Sequence, residues 1–153
     1  MRNVLNQNRF TITLDQDFRG VMTGCANRPE EGTWITDDFI EAYVQLHELG
    51  FGHSAEAWDD QGELVGGLYG VSVGSMFFGE SMFAKTSNAS KAAFIRLAKQ
   101  LQVWGFDCID CQIMNPHLES LGAQHVPRTQ FLDQLKSALE RPTKRGPWSF
   151  DSD

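Results

Sequence analysis

Three polar side chains stand where apolar ones would be expected. Glu80 closes the run MFFGE, and Asp110 and Gln112 sit inside FDCIDCQ. The second run alternates like a strand, and residues two apart on a strand share a face, so Asp110 and Gln112 point the same way. A carboxylate beside an amide is a useful pair. The carboxylate can orient or take a proton, and the amide oxygen can accept a hydrogen bond from a nucleophile. Buried without partners, each group would cost roughly 2–7 kcal/mol. Such a pair is therefore either satisfied by capping a neighbouring loop or functional, and spacing alone leaves both readings open. Glu80 has a similar choice, between a surface loop carboxylate and a third acidic group of a site.

The elements that must hold these residues follow from periodicity. FTITL, residues 10–14, reads as a strand, and Asp15 can cap a helix carrying Phe18, Val21 and Met22. A turn-rich loop over 27–33 leads to Trp34 and Ile35. Thr36 then caps a helix over 36–49, with Phe39, Ile40, Tyr43 and Val44 as its stripe and Gly50 as its stop. Residues 54–58 and 63–73 form a hairpin. Gly66, Gly67 and Gly70 in its second strand mark a close approach, by a ligand or by a packed helix. A short strand over 76–78 ends at Gly79 and Glu80, leaving Met82 and Phe83 in a loop. Ser87 or Asn88 caps a helix to 104, whose inner face is Ala93, Phe94, Leu97, Ala98, Leu101 and Trp104. Strand 106–112, a short helix over 117–121, a brief strand over 124–126 and a helix from Pro127 to 140 complete the chain. The pattern is α/β (α+β) with antiparallel hairpins in the middle. One domain is expected over 1–140, with a polar tail over 141–153 loosely held.

Bulk properties narrow the function classes. The chain has 153 residues, 41% hydrophobic and 22% charged, which suits one soluble globular domain. No apolar run approaches the roughly 20 residues that span a bilayer, so no membrane role is expected. Three cysteines are too few and too oddly placed for a disulfide framework, which fits a reducing cytoplasm. Cys108 and Cys111 form a lone C-x-x-C, a poor metal signal, and His47, Glu48 and His53 miss the zinc-protease spacing. A net charge of −7 argues against broad binding to nucleic acid. A nucleic-acid partner would need a local basic patch, for which Lys85, Lys91, Arg96 and Lys99 are candidates, as are Arg141, Lys144 and Arg145. Scattered solvated cations are the plainer reading of the same residues.

Ordered motifs go further. GCANRPEEGTWIT (24–36), EAYVQLHELG (41–50), HSAEAW (53–58), GGLYG (66–70), FFGESMF (77–83), ASK (89–91), DCQ (110–112), HLESLGA (117–123) and PR..FL (127–132) together resemble the leucyl/phenylalanyl-tRNA–protein transferase family over about residues 3–135. The resemblance implies a GNAT-like fold: a mixed, splayed sheet flanked by helices, with a cleft where strands part. It implies transfer of Leu or Phe, and less readily Met, from an aminoacyl-tRNA to proteins whose N-terminal residue is Arg or Lys, marking them for degradation. No cofactor or metal is implied, because the ester is already activated. The implied partners are the aminoacyl-tRNA 3′ end and the acceptor protein, and the enzyme is expected to act as a monomer.

The resemblance also assigns residues. Asp110 and Gln112 match the family's proposed catalytic positions, with Glu80 assigned to hold the peptide's cationic end or to orient Gln112. Met76, Phe78, Met82, Phe83 and Leu97 are candidates for the aminoacyl pocket, each with core packing as its plainer role. Trp34 is a candidate to stack on the terminal adenine, or a structural Trp beneath the sheet. Family members carry a small Trp- and Pro-rich domain before the matching region, and this sequence starts after most of it, so weakened adenosine binding is expected. Two other readings stay open. One is a coenzyme-A-dependent N-acyltransferase of the same fold class, although FAKTSNASK lacks the glycine-rich phosphate cradle such enzymes use. The other is a shortened, non-catalytic module that binds aminoacyl-tRNA or peptide.

Overall fold

The computed structural model describes residues 10–26, 36–111 and 127–150. Nine elements follow in order: β1 (Thr11–Leu14), α1 (Phe18–Ala26), α2 (Asp37–Glu48), β2 (Gly52–Trp58), β3 (Leu64–Val73), β4 (Met76–Ala84), α3 (Ala89–Val103), β5 (Cys108–Cys111) and α4 (Arg128–Leu139). The strands form one sheet in the order β1-β2-β3-β4-β5. Neighbours are antiparallel except β4 and β5, which run parallel because α3 carries the chain back to the same end. The expected short helix over 117–121 and strand over 124–126 lie outside the described residues. Among the described residues, no helix is long and apolar enough to cross a membrane.

Alternation along the strands divides the core in two. On one face Leu14, Ala55, Leu68 and Phe77 meet Ala93, Leu97 and Leu101 of α3. On the other, Tyr69 and Phe83 meet Phe18, Val21, Met22 and Cys25 of α1 and Ile40 of α2. The glycines of β3 serve this packing. A Cβ on Gly66 would lie 2.5 Å from the Ala89 Cβ, and one on Gly70 would lie 2.2 Å from the Phe78 carbonyl oxygen. Of the two readings of this run, close packing of protein on protein is the one the geometry supplies.

Two buried carboxylates shape the turn from β1 into α1. Glu56, wholly buried on β2, accepts from the Thr13 hydroxyl (2.6 Å), the Ser54 hydroxyl, and the backbone N–H groups of Gln16 (3.2 Å) and Asp17 (3.3 Å). Burial pushes its carboxyl up from the usual range, and these four donors oppose that shift. Asp15 does not cap α1 as expected. It adopts φ +55°, and its carboxylate accepts instead from His53 Nδ1 (2.8 Å), Ser54 N (2.9 Å) and Trp148 N (2.7 Å). Asp17 caps α1 in its place, accepting from Gly20 N at 3.0 Å. Thr36 caps α2 as its position suggests, accepting from Phe39 N at 3.2 Å. Asn88 precedes α3 in a left-handed conformation (φ 71°), with no hydrogen bond from its side chain to the helix.

Two further expectations change. The strand expected to stop at residue 78 runs on to Ala84, so Met82 and Phe83 are strand residues facing opposite sides, not loop residues. The polar stretch from Arg141 holds an anchor that composition conceals. Trp148 is 3% exposed, stacked on His53 at 3.5 Å and edge-on to Trp104 and Phe106. Burial of one large indole, with its backbone N–H on a buried carboxylate, fixes a segment that is otherwise solvated.

Candidate active site

The candidate site lies at the end of the described β4–β5 pairing. That pairing runs from Met76↔Cys108 through Phe78↔Asp110 to Gly79↔Cys111, and β4 then continues to Ala84 against β3. Opposed residues of a sheet share a face, so Asp110 stands beside Phe78. Phe77 and Ile109, one step earlier, belong to the α3 side, which puts Asp110 on the side of α1 and α2.

A bulge delivers the second carboxylate. On β3, Tyr69 opposes Ser81 while the next residue, Gly70, opposes Gly79, so Glu80 is the extra residue of β4. A bulge re-aims a side chain, and Glu80 Oε1 here accepts from the Tyr43 hydroxyl at 3.2 Å. Tyr43 comes from α2, stacked on Phe39 at 4.6 Å and edge-on to Tyr69 at 5.7 Å. Burial holds the Glu80 carboxyl above its usual range; the Tyr43 hydrogen bond pulls it down, and the nearby Asp110 charge pushes it up. The Tyr43 hydroxyl is itself pushed up to about 12, by burial first and then by the Glu80 charge.

Two partly buried carboxylates that repel one another attract a cation and can take or direct a proton. They also carry a cost. Glu80 binds its proton more tightly folded than unfolded, so its contribution to stability is whole below pH 4.5 and is lost as pH rises through the folded value. Glu80→Gln should therefore gain stability over the wild type as pH rises. Thermal melts of both from about pH 4 to about pH 8 test this, and a constant difference would show that Glu80 is not strained when charged.

The other candidate residues are distributed more widely than the motifs suggest. Trp34 and Gln112 lie outside the described residues. Met76, Phe83 and Leu97 are core residues, at 0%, 5% and 1% exposure, whereas Phe78 and Met82 are partly exposed. Met82 and Leu97 face the α3 side and Phe83 the opposite one, so these side chains do not line a common wall. Lys85 borders a separate open groove of about 350 Å³ with Arg19, Asp17 and Phe83. Lys99 on α3 is exposed and Lys91 partly so, while the Arg96 guanidinium lies 4.5 Å over the Phe150 ring. Lys144 and Arg145 of the tail lie over Trp104 and Phe51. In the sequence Tyr43 is one member of a helical apolar stripe and Tyr69 one letter of the GGLYG motif, and neither stands out as a site residue. A tyrosine in such a run carries a polar tip that needs a partner, which was the available signal.

Known proteins place this architecture. The model of the leucyl/phenylalanyl-tRNA protein transferase family matches residues 1–136. The leucyl/phenylalanyl-tRNA–protein transferase of Desulfatibacillum aliphaticivorans is 54% identical, covering all of this chain and 66% of its own length. That of Alkalilimnicola ehrlichii is 52% identical, covering 97% of this chain and 58% of its own length. The chain thus spans about three-fifths of the curated relatives it matches. Among solved structures, an aminoglycoside acetyltransferase from an uncultured soil sample superposes with a TM-score of 0.60 at 12% identity, covering 80% of this chain and 95% of that one. A ribosomal-protein-alanine N-acetyltransferase from Brucella melitensis gives 0.56 at 13% identity, covering 78% and 94%. These likenesses establish a GNAT-type fold and, at that identity, nothing about the reaction.

Proposed function

The chain belongs to the leucyl/phenylalanyl-tRNA protein transferase family, and from that premise we propose that it moves Leu or Phe, and less readily Met, from aminoacyl-tRNA onto the N-terminal Arg or Lys of acceptor proteins, marking them for degradation in the cytoplasm. The observation that carries this reading is that Glu80 and Asp110 lie close enough to act on one another electrostatically, on the α1–α2 side of the sheet and within the matched region. The acceptor brings two positive groups to that point, its α-ammonium and its basic side chain. A carboxylate pair receives them and binds neutral or acidic N-termini poorly.

In the proposed reaction the acceptor α-ammonium first releases a proton to solvent, and the neutral amine attacks the ester carbonyl. Asp110 orients the amine, takes the proton that its nitrogen loses as the C–N bond forms and returns it to the ribose oxygen, which leaves as a hydroxyl when the C–O ester bond breaks; the Gln112 amide oxygen accepts a hydrogen bond from the same nitrogen. Glu80 holds the cationic end of the acceptor. Because the ester is reactive, the main contribution is alignment of two bound reactants, worth up to about 7–11 kcal/mol. The enzyme acts as a monomer, with the basic side chains of α3 beside the tRNA end.

The test is incubation of the chain with labelled leucyl-tRNA and peptides differing only in the first residue. Transfer to Arg- and Lys-peptides but not to an Asp-peptide supports the reading. Binding of both partners without transfer supports a non-catalytic module, and label moving from acetyl-coenzyme A supports the acyltransferase reading. Phe78, partly exposed and beside Asp110 on the same side of the sheet, gives a narrower test. Phe78→Ala should alter the preference among Leu, Phe and Met more than the preference among acceptors. An unchanged amino-acid profile would make Phe78 a packing residue only.

A further inference from the structure

We propose that Tyr69 is a positioning residue of this site: its ring, held edge-on between Phe18 and Tyr43, fixes the orientation from which the Tyr43 hydroxyl donates to Glu80. Tyr69 is fully buried on β3, beside the bulge that projects Glu80. Its ring meets Phe18 at 5.9 Å and 75° and Tyr43 at 5.7 Å and 86°. Near-perpendicular rings prefer that angle because the positive edge of one lies against the negative face of the other. An aliphatic side chain of similar volume would fill the space without setting the angle. Tyr43 is also stacked on Phe39, near the start of α2.

The Tyr69 hydroxyl sharpens the argument. It is buried and has no hydrogen-bond partner. Burial pushes it far above the ordinary tyrosine range, reinforced by Cys25 of α1, Tyr43 of α2 and Glu80 of β4. An unmatched buried hydroxyl costs stability, so the useful part of this residue is its ring. The groups facing Glu80 are therefore Tyr43 from α2, Asp110 from β5 and, behind Tyr43, Tyr69 from β3. Only the first lowers its carboxyl, so anything that turns Tyr43 away lets the carboxyl rise further.

The inference rests on Glu80 belonging to the site, and the test reads Glu80 directly without requiring transfer. The full chain carrying ¹³C-labelled glutamate is titrated by NMR as wild type, Tyr69→Phe, Tyr69→Leu, Tyr43→Phe and the double variant Tyr43→Phe/Tyr69→Leu. Tyr69→Phe should titrate like the wild type. Tyr69→Leu and Tyr43→Phe should each displace the Glu80 midpoint upward, and the double variant should match Tyr43→Phe alone, since both changes remove the same hydrogen bond. A displaced midpoint in Tyr69→Phe, an unmoved one in folded Tyr69→Leu, or additive shifts in the double variant would overturn the proposal. Should Tyr69→Leu fail to fold, Tyr69→Met, which also removes the ring, takes its place with the same expected and overturning results. Where the chain transfers amino acids, the acid limb of its pH profile should move with the Glu80 midpoint. If no form transfers, the proposed activity fails while the NMR result stands.

Discussion

Replacing Asp110 with Asn is expected to slow aminoacyl transfer by at least about tenfold, since a positioned base contributes typically 10²–10⁴-fold. Unfolding should stay within about 1 kcal/mol of the wild type. The substitution keeps the shape beside Phe78, removes the charge and turns one accepting oxygen into an amide donor. It predicts a second effect on a different residue. Asp110 holds the Glu80 carboxyl up, so in Asp110→Asn that carboxyl should move down toward its ordinary range. Steady-state transfer from leucyl-tRNA to an Arg-peptide measures the first effect, and a glutamate titration the second. Gln112→Ala should also slow transfer at least about tenfold without the shift at Glu80. Folded variants that transfer at the wild-type rate would remove the catalytic assignment.

The largest loss of stability is expected at Trp148. Truncating a buried aromatic to Ala costs about 3–5 kcal/mol. Here the change removes the ring stacked on His53 and the edge contacts to Trp104 and Phe106, and with them the packing that holds the Trp148 N–H on Asp15. Phe77, whose ring lies 6.1 Å from the indole, would lose part of its cover, and the cluster on that face would lose its largest member. Trp148→Phe keeps a stacking ring and should recover part of the loss. Denaturant unfolding measures both, and a cost below about 1 kcal/mol for Trp148→Ala would mean that residues 141–150 contribute little to the native state.

Much of the scaffold was readable from residue patterns, because its signals are local. α2 lies between a capping Thr36 and Gly50 at φ 95°, and β2 and β3 flank a glycine turn with Gly62 at φ 78°. α3 keeps its periodic apolar face, and the alternation of FDCIDCQ gives β5. The errors came where a distant partner decided the outcome. Gly79–Glu80 reads as the end of a strand, yet β3 pairs across it and converts the interruption into a bulge. Asp15 was in a capping position for α1, but residues 38 and 133 positions away claim its carboxylate. Polarity described most of residues 141–150 and missed the one indole that docks them. Within the candidate site, the carboxylates stood out because they interrupt apolar runs. Tyr43 did not, since its contact with Glu80 spans 37 residues and its ring fits an ordinary helical stripe.

The bond from Trp148 to Asp15 also constrains how the protein is made. Synthesis proceeds from the N-terminus, and Asp15 emerges from the ribosome long before the indole that completes its surroundings. Until residues 145–150 have cleared the exit tunnel, His53 and the Asp15 carboxylate face an unfilled slot, and the β2–α3 side of the sheet is open to water and to other nascent chains. The last native contacts on that side therefore wait for the Trp148 segment, and chaperone engagement should concentrate on polypeptides arrested before Trp148.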